Sequence, residues 1–216
     1  MTLEDRTAYG AQVLAGRFTG MRRVSFLQED LASSSKAVRL LELCEQARDE
    51  GRKVIVYSYF RETIQKVCDF LGDCVVGSIT GSTPAEMRQS LVDKFTDAPD
   101  GSVLVCQIQS GGTGLNMQAA AVVIFCEPQI KPSLTWQAIS RAYRMGQVQN
   151  VLVYHLLCED TADEAVRGIM AAKEAEFDLF AQDSAMAEAA DGLADKEWIR
   201  EVVERERKKY LPAVVT

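Results

Sequence analysis

Apolar residues form several short continuous runs along the chain. Two of these runs, 103–108 and 119–126, are rich in β-branched residues. Continuous rather than alternating hydrophobicity is typical of strands buried on both faces of a parallel sheet. Further strands are predicted at 53–58, at 74–79 and around His155. The pattern therefore predicts a sheet inside an α/β fold.

The segments between these runs carry apolar residues at helical spacing. Val38, Leu41, Cys44 and Ala47 predict an amphipathic helix that ends before Gly51. Other helices are predicted at 2–31 (one or two short ones), around Ile64, Val67 and Leu71, after Thr83 as cap and Pro84 in the first turn, at 161–182 and at 196–209. Because strands alternate with helices, right-handed β-α-β units and a parallel sheet are expected.

One predicted helix, 137–147, carries a basic face. Gln137, Arg141 and Arg144 stand at i, i+4 and i+7, so the helix would place them on one side. A second, apolar stripe consists of Leu134, Ala138, Ala142 and Met145. Two arginines on a fixed helix, with no carboxylate in 128–158, indicate a site for a multiply charged anion such as phosphate. The alternative is a surface helix whose arginines are solvated or paired with acids from elsewhere.

A glycine-rich loop lies upstream, between the two β-branched runs. Gly111, Gly112 and Gly114 let the backbone approach a ligand closely, and the N–H groups of a short helix after them could receive phosphate oxygens. The pattern is neither G-x-x-x-x-G-K-[ST] nor G-x-G-x-x-G, so by itself it defines neither a Walker A loop nor a dinucleotide site.

Taken together, these segments resemble the second motor lobe of superfamily two helicases, and within it the Swi/Snf-like DNA translocases. In that family a Gly-Gly-x-Gly-Leu-Asn segment (motif V) follows one strand, and a Gln-Ala-x-x-Arg-Ala-x-Arg-x-Gly-Gln helix (motif VI) follows another. Both are present in order, and the resemblance covers roughly 34–167, including 53–60 (motif IV) and 81–84. It implies a RecA-like three-layer domain at 33–167, with a helical lead-in at 1–32 and a C-terminal helical extension at 168–216.

The resemblance also implies how nucleotide is used. ATP and Mg²⁺ bind with the N-terminal RecA-like lobe of the same polypeptide, because this chain has no Walker A lysine loop. The chain alone is therefore expected to bind no cofactor tightly and to be inactive. Arg141 and Arg144 correspond to arginine fingers, and Gly112, Gly114, Asn116 and Gln137 to nucleotide-binding or coupling positions.

Double-stranded DNA is the second partner that the resemblance implies. The positions that match its phosphate-backbone contacts are Ser58, Tyr59, Gly81, Ser82, Gln109 and Ser110. Hydroxyls, amides and backbone N–H groups at such positions bind phosphate without reading sequence. This chain departs from the family where Gln107 and Ile108 replace the usual Ser-Thr, and where Ser140 and Tyr143 replace an acid and a histidine. The replacement of Ser-Thr removes hydroxyl groups that would contact the DNA strand in the family, so the detailed contact with DNA differs at this position.

Composition narrows the remaining possibilities. The formal net charge is -7, with acids concentrated towards the ends, so only one groove is expected to contact phosphates. The six cysteines contain no C-x-x-C pair and the single histidine lies in a strand-like run, which favours buried free thiols and no metal site. Without a leader or a long apolar run, we expect a cytoplasmic, non-membrane protein. A bacterial source is expected from the family resemblance. The alternative function is a non-catalytic nucleotide- or protein-binding module, and a Rossmann-like cofactor enzyme comes third.

Overall fold

The computed structural model describes residues 1–110, 115–144, 150–180 and 187–211, with the side chains of 174–180 and 187–196 left undescribed. Thirteen helices and strands of this part of the chain are, in order, α1 (Leu3–Leu14), α2 (Phe18–Met21), α3 (Ser35–Asp49), β1 (Lys53–Ser58), α4 (Arg61–Leu71), β2 (Val75–Ile79), α5 (Ala85–Asp97), β3 (Val103–Gln107), β4 (Ala120–Phe125), α6 (Pro132–Ala142), β5 (Leu152–His155), α7 (Ala162–Phe180) and α8 (Ala187–Tyr210). Short 3₁₀ turns occur at Leu31–Ser33, Gly72–Cys74 and Ile108–Ser110.

The five strands form one parallel sheet in the order β2-β3-β1-β4-β5. Alternate residues of each strand face opposite sides. On one side, Val56 and Val105 contact α3 and α4, whereas on the other Tyr57 and Cys106 contact α5 and α6. The domain is therefore a three-layer α/β sandwich of the RecA-like type, and the expected fold class is confirmed.

Several predicted helix boundaries are confirmed by local geometry. Thr2 caps α1 through a capping box with Asp5, in which each side chain binds the other residue's backbone N–H. Ser34 accepts the N–H of Ala37 at the start of α3, and Gly51, with φ +65°, follows its end.

Two details of the predicted helices are wrong. Of the predicted stripe in α3, Cys44 and Ala47 are buried, but Val38 is 38% exposed because the first two turns bury Ala37 and Leu40 instead. Pro84 occupies the cap of α5 and not its first turn, and the Thr83 hydroxyl accepts the N–H of Thr80 instead of capping the helix.

The two ends of the chain meet in a separate apolar cluster. This cluster contains Tyr9 and Val13 of α1, Ala165 and Val166 of α7, and Trp198 and Val202 of α8. At Gly10, an added Cβ would lie 2.9 Å from the ring of Tyr210, so α1 and α8 approach closely there.

The last helix begins at Ala187, earlier than the start at 196 predicted from the sequence, and 181–186 lie outside the described residues. The charged stretch 204–209 is typical of a solvated helical face, but the side chain of Glu206 within it is fully buried and accepts hydrogen bonds from Tyr9 and Lys209. The domain boundaries at 32 and 167 stay a prediction. Within the described residues, no helix is long and apolar enough to cross a bilayer.

Candidate functional site

The carboxyl ends of β1, β2 and β3 bring three loops together. The sheet order places β3 between β2 and β1, so Gln107, the last residue of β3, lies between the loops that follow the other two strands. Its Oε1 accepts hydrogen bonds from the Gly81 N–H (2.9 Å) and the Ser110 hydroxyl (3.0 Å), and its Nε2 donates to the Tyr59 carbonyl (3.1 Å). One amide thus contacts all three loops, which we call the polar rim (58–60, 80–84 and 107–110).

Arg88 on α5 braces the same rim from below. Its Nε donates to the Thr83 carbonyl (2.8 Å) and its Nη1 to the Ser110 carbonyl (2.8 Å). Arg61, the first residue of α4, donates from Nη2 to the Ser82 hydroxyl (3.2 Å). Guanidinium groups with several donors suit such bridging of carbonyl oxygens.

The six predicted DNA-contact residues all lie on the rim, but their exposure differs. Gly81, Ser82 and Gln109 are exposed and Tyr59 is half-buried. Ser58 and Ser110 are buried, with Ser58 donating to Glu127 Oε2 (3.0 Å). The groups available to an external ligand without rearrangement are therefore those of Ser82 and Gln109. The contacts themselves stay a prediction.

Glu127, just after β4, is a buried carboxylate that the sequence analysis did not assign to the site. It is 1% exposed, and its Oε1 accepts the N–H of Tyr59 (2.6 Å) and the Gln129 amide (3.2 Å). Burial raises the pKa of Glu127, against the opposing effects of the Tyr59 N–H and the Arg22 charge. A single acid directly after a buried strand was the signal that could have revealed it.

Arg22 connects the N-terminal lead-in to this region. Its guanidinium lies 5.2 Å from the ring centres of Tyr59 and Phe60, and its Nη2 donates to the Pro128 carbonyl (3.0 Å). The pKa of Arg22 is lowered by burial, while Glu127 opposes that effect. Tyr59 is thus held from beneath by a cation, as cation–π contacts allow.

Arg141 occupies the last turn of α6. Its Nη1 is buried and has no hydrogen-bond partner in the part of the chain that the structure describes. The Arg141 charge also opposes the burial effect that raises the pKa of Cys106 to about 12. Burial likewise raises the pKa of Tyr57, and a hydrogen bond between the Arg141 guanidinium and the Tyr57 hydroxyl opposes that effect, so another part of the guanidinium has a partner although Nη1 has none. Gln137, one turn earlier, is exposed.

The helix that carries Arg141 is shorter than predicted. It ends at Ala142, and Tyr143 is extended with φ -92° and ψ 104°. The Arg141 carbonyl, which a longer helix would offer to residue 145, accepts the N–H of Met117 at 3.0 Å. The expectation that Gln137, Arg141 and Arg144 share one helical face is therefore wrong: Arg144 lies beyond the helix and is exposed.

The Met117–Arg141 hydrogen bond brings the segment after the glycine loop to the end of α6. Asn116, predicted at the nucleotide site, is adjacent to this bond and exposed, and it donates to Gln118 (3.1 Å). Residues 115–119 form no helix, in contrast to the short helix expected there. Gly112 and Gly114, like Met145, lie outside the described residues.

The cysteines and the histidine occupy apolar surroundings. All six cysteines are free thiols, but Cys68 and Cys74 are only half-buried, whereas buried thiols were expected. Burial raises the pKa of Cys44 to about 12 and of Cys68 to about 11. His155 stacks on Phe125 with ring centres 4.8 Å apart, and burial lowers its pKa. No group of three or more potential metal ligands is found among the described side chains.

Comparison with known proteins agrees with this geometry. Residues 35–146 match the family model of the helicase conserved C-terminal domain, and the chain belongs to this family. It is 29% identical over 209 residues to the chromatin-remodeling ATPase INO80 of Emericella nidulans, a match that covers 89% of this chain and 13% of that protein. Its similarity therefore extends beyond the family match to the flanking helices.

Solved structures give the same result for the fold. The SWI2/SNF2 ATPase core domain of Sulfolobus solfataricus has a TM-score of 0.71 at 21% identity, covering 100% of this chain and 48% of that one. The same core in complex with dsDNA has a TM-score of 0.69 at 22% identity, covering 100% and 49%. The chain thus has the fold of the C-terminal lobe of Swi/Snf-type ATPases and spans about half of such a core.

Two expectations, the bacterial origin and the cytoplasmic location, have no support from the comparisons. INO80 of Emericella nidulans and the ATP-dependent helicase fft2 of Schizosaccharomyces pombe, two similar curated proteins, are eukaryotic, so they give a bacterial origin no support. A relative described as a chromatin-remodeling ATPase gives no support to a cytoplasmic location.

Proposed function

We propose that this chain is the second motor lobe of a Swi/Snf-type ATPase that is stimulated by double-stranded DNA. It would act with an N-terminal RecA-like lobe of the same polypeptide, which supplies the Walker A loop that this chain lacks. Membership of the helicase C-terminal family and the fold of Swi/Snf ATPase lobes support this proposal.

The observation that carries the proposal is the unpartnered Nη1 of Arg141. A buried guanidinium nitrogen that no described residue satisfies is costly, so a ligand or partner group is expected to complete it. An anionic phosphate oxygen matches this nitrogen in charge, because a guanidinium N–H donates strongly to a negatively charged acceptor. Arg141 Nη1 thus supports ATP as the ligand, in addition to the family match.

In this proposal, each residue has a defined task. ATP, bound with Mg²⁺ on the other lobe, supplies the phosphoryl group that is transferred to water. Arg141 and Arg144 donate to its terminal phosphate as charge develops there, which is the role of arginine fingers. Gln137 bridges to the nucleotide or to the facing lobe, and Gly112, Gly114 and Asn116 couple the nucleotide cleft to the bound DNA strand.

The polar rim is the proposed contact with the DNA backbone. Ser82 and Gln109 present exposed polar side chains on loops that Gln107 and Arg88 hold in place. Polar groups of this kind bind phosphate oxygens irrespective of base sequence. The related ATPase core that was solved in complex with dsDNA supports the choice of partner.

The test is ATP hydrolysis by the full-length protein that contains this chain, with and without duplex DNA. We expect turnover that rises with DNA, whereas residues 1–216 alone should neither hydrolyse ATP nor bind it tightly. If the full-length protein lacks DNA stimulation, the proposal is wrong and a nucleotide- or protein-binding module becomes the better interpretation. Saturable binding of a dinucleotide to residues 1–216 would favour a cofactor enzyme.

A further inference from the structure

The side chain of Gln107 occupies the position where the polar rim departs from the family pattern. Ser-Thr is usual before the motif V glycines, and this chain has Gln107 and Ile108. Ile108 is buried in the core, so its side chain offers nothing to a ligand. Gln107 is half-buried and directs its amide to its neighbours within the rim.

The hydrogen bonds of Gln107 require both ends of an amide. Its oxygen accepts from Gly81 and Ser110, while its nitrogen donates to the carbonyl of Tyr59. A serine hydroxyl is too short to reach both neighbouring loops. A glutamate of the same length would lose the donor to Tyr59 and add a negative charge beside the proposed phosphate contacts. The amide is therefore well matched to this position.

These bonds fix the relative position of the groups that face outwards. Ser82 follows Gly81 directly, and Gln109 lies between Gln107 and Ser110, so both exposed side chains are adjacent to atoms that Gln107 holds. Arg88 joins the second loop to the third, but its bonds do not include the loop after β1. Gln107 adds that loop through Tyr59.

We propose that Gln107 is a positioning residue that pre-organises the three loops of the polar rim for binding the DNA backbone. It holds Ser82, Gln109 and Tyr59 at fixed spacing without contacting DNA itself. Loops already held in the bound arrangement lose less conformational freedom on binding, so affinity is higher. This inference rests on the proposed function, because it assumes that the rim binds DNA.

The test uses the full-length protein and two variants of one residue. Gln107→Met keeps most of the length and volume of the side chain but removes its hydrogen bonds. Gln107→Ala removes the hydrogen bonds and most of the side-chain volume. Gln89→Ala is the matched control, because Gln89 is an exposed glutamine of α5. Its amide donates to Asp93 of the same helix and has no bond to the polar rim in the described part of the chain. For each protein, the DNA concentration for half-maximal stimulation of ATP hydrolysis and the maximal stimulated rate are measured.

We expect both Gln107 variants to raise the half-maximal DNA concentration about tenfold, with a much smaller fall in maximal rate, and the control to match the original protein. If Gln107→Met restores the original value, the residue acts through packing and the proposal is overturned. A fall in maximal rate at an unchanged half-maximal DNA concentration would also overturn it. If the original protein shows no stimulation by DNA, the proposed function itself fails. The proposal for Gln107 fails alone if the original protein is stimulated but its variants behave in either of the two ways just described.

Discussion

Lys36 and Asp163 form an ion pair in the interior of the protein, although they lie in the first turns of α3 and α7, far apart in sequence. Their side chains are 3% and 0% exposed. Lys36 also donates to the Cys126 carbonyl (3.2 Å), and Asp163 accepts the Cys158 N–H (2.9 Å). The pair thus joins the start of the family match to the helices that follow it.

Removal of one member of this pair should be strongly destabilising. Lys36→Met leaves the Asp163 carboxylate buried without its cation, and we expect the free energy of unfolding to fall by about 3–5 kcal/mol. Arg39→Met is the control, because Arg39 pairs with Glu42 at the surface of the same helix and should cost less than about 1 kcal/mol. Denaturant titration measures both. A loss for Lys36→Met no larger than that of the control would contradict the prediction.

Arg141 should not tolerate lysine. Arg141→Lys in the full-length protein keeps a positive charge but loses the planar fork of donors, so we expect DNA-stimulated ATP hydrolysis to fall by on the order of a thousandfold. Arg144→Lys is expected to show a loss in the same direction. Arg39→Lys, at an exposed position, should leave hydrolysis unchanged. If Arg141→Ala and Arg144→Ala both retain most of the activity, the finger assignment is wrong.

The Tyr9 hydroxyl should contribute to stability through two buried partners. It donates to Glu206 Oε2 (3.0 Å) and accepts the N–H of Ala162 (2.8 Å). Tyr9→Phe leaves both groups short of a partner, so we expect a loss of about 1–3 kcal/mol in the free energy of unfolding. Tyr143→Phe is the matched control, since Tyr143 is 66% exposed and should be neutral. Equal unfolding midpoints for the two variants would refute the assignment.

Asp5 should make stability depend on acid pH. Burial alone would raise the pKa of Asp5, but the Ser35 hydroxyl and backbone N–H bind its charged form and hold the pKa below the usual 3.8. Because the folded-state pKa is lowered, this stabilisation is present above the unfolded pKa and is lost as pH falls through the folded one.

The variant Asp5→Asn isolates this effect, because its side chain does not titrate. The difference in free energy of unfolding between the original protein and this variant, measured from pH 7 downwards, should stay constant until about pH 5 and then shrink as Asp5 becomes protonated. A difference that grows as the pH falls would show that the sign is wrong.

The strands and the fold class were accessible from sequence because hydrophobic runs are local. The runs at 103–108 and 119–126 correspond to β3 and β4, and the Ser34 cap and Gly51 mark α3. Each of these signals is contained within a few residues. Parallel pairing follows from the strand–helix alternation and needs no detail of side-chain contact.

The errors arose where a distant segment decides the local structure. The end of α6 is set by the N–H of Met117, so the periodicity that continued to Arg144 was misleading. The buried partner of Glu206 is Tyr9, which comes from the other end of the chain. Gln107 looked like the loss of a hydroxyl, but its partners come from two other loops. None of these contacts could be predicted from the residues next to Arg141, Glu206 or Gln107 in the sequence.

The contacts between 35–146 and the segments that flank it limit how the lobe can be divided. A chimera between relatives that exchanged only 35–146 would separate Lys36 from Asp163 and would exclude β5, whose residues pair with β4. The ion pair and the β4–β5 pairing would then have to form between parts of two different relatives. The natural unit of exchange is therefore the lobe together with both of its helical flanks.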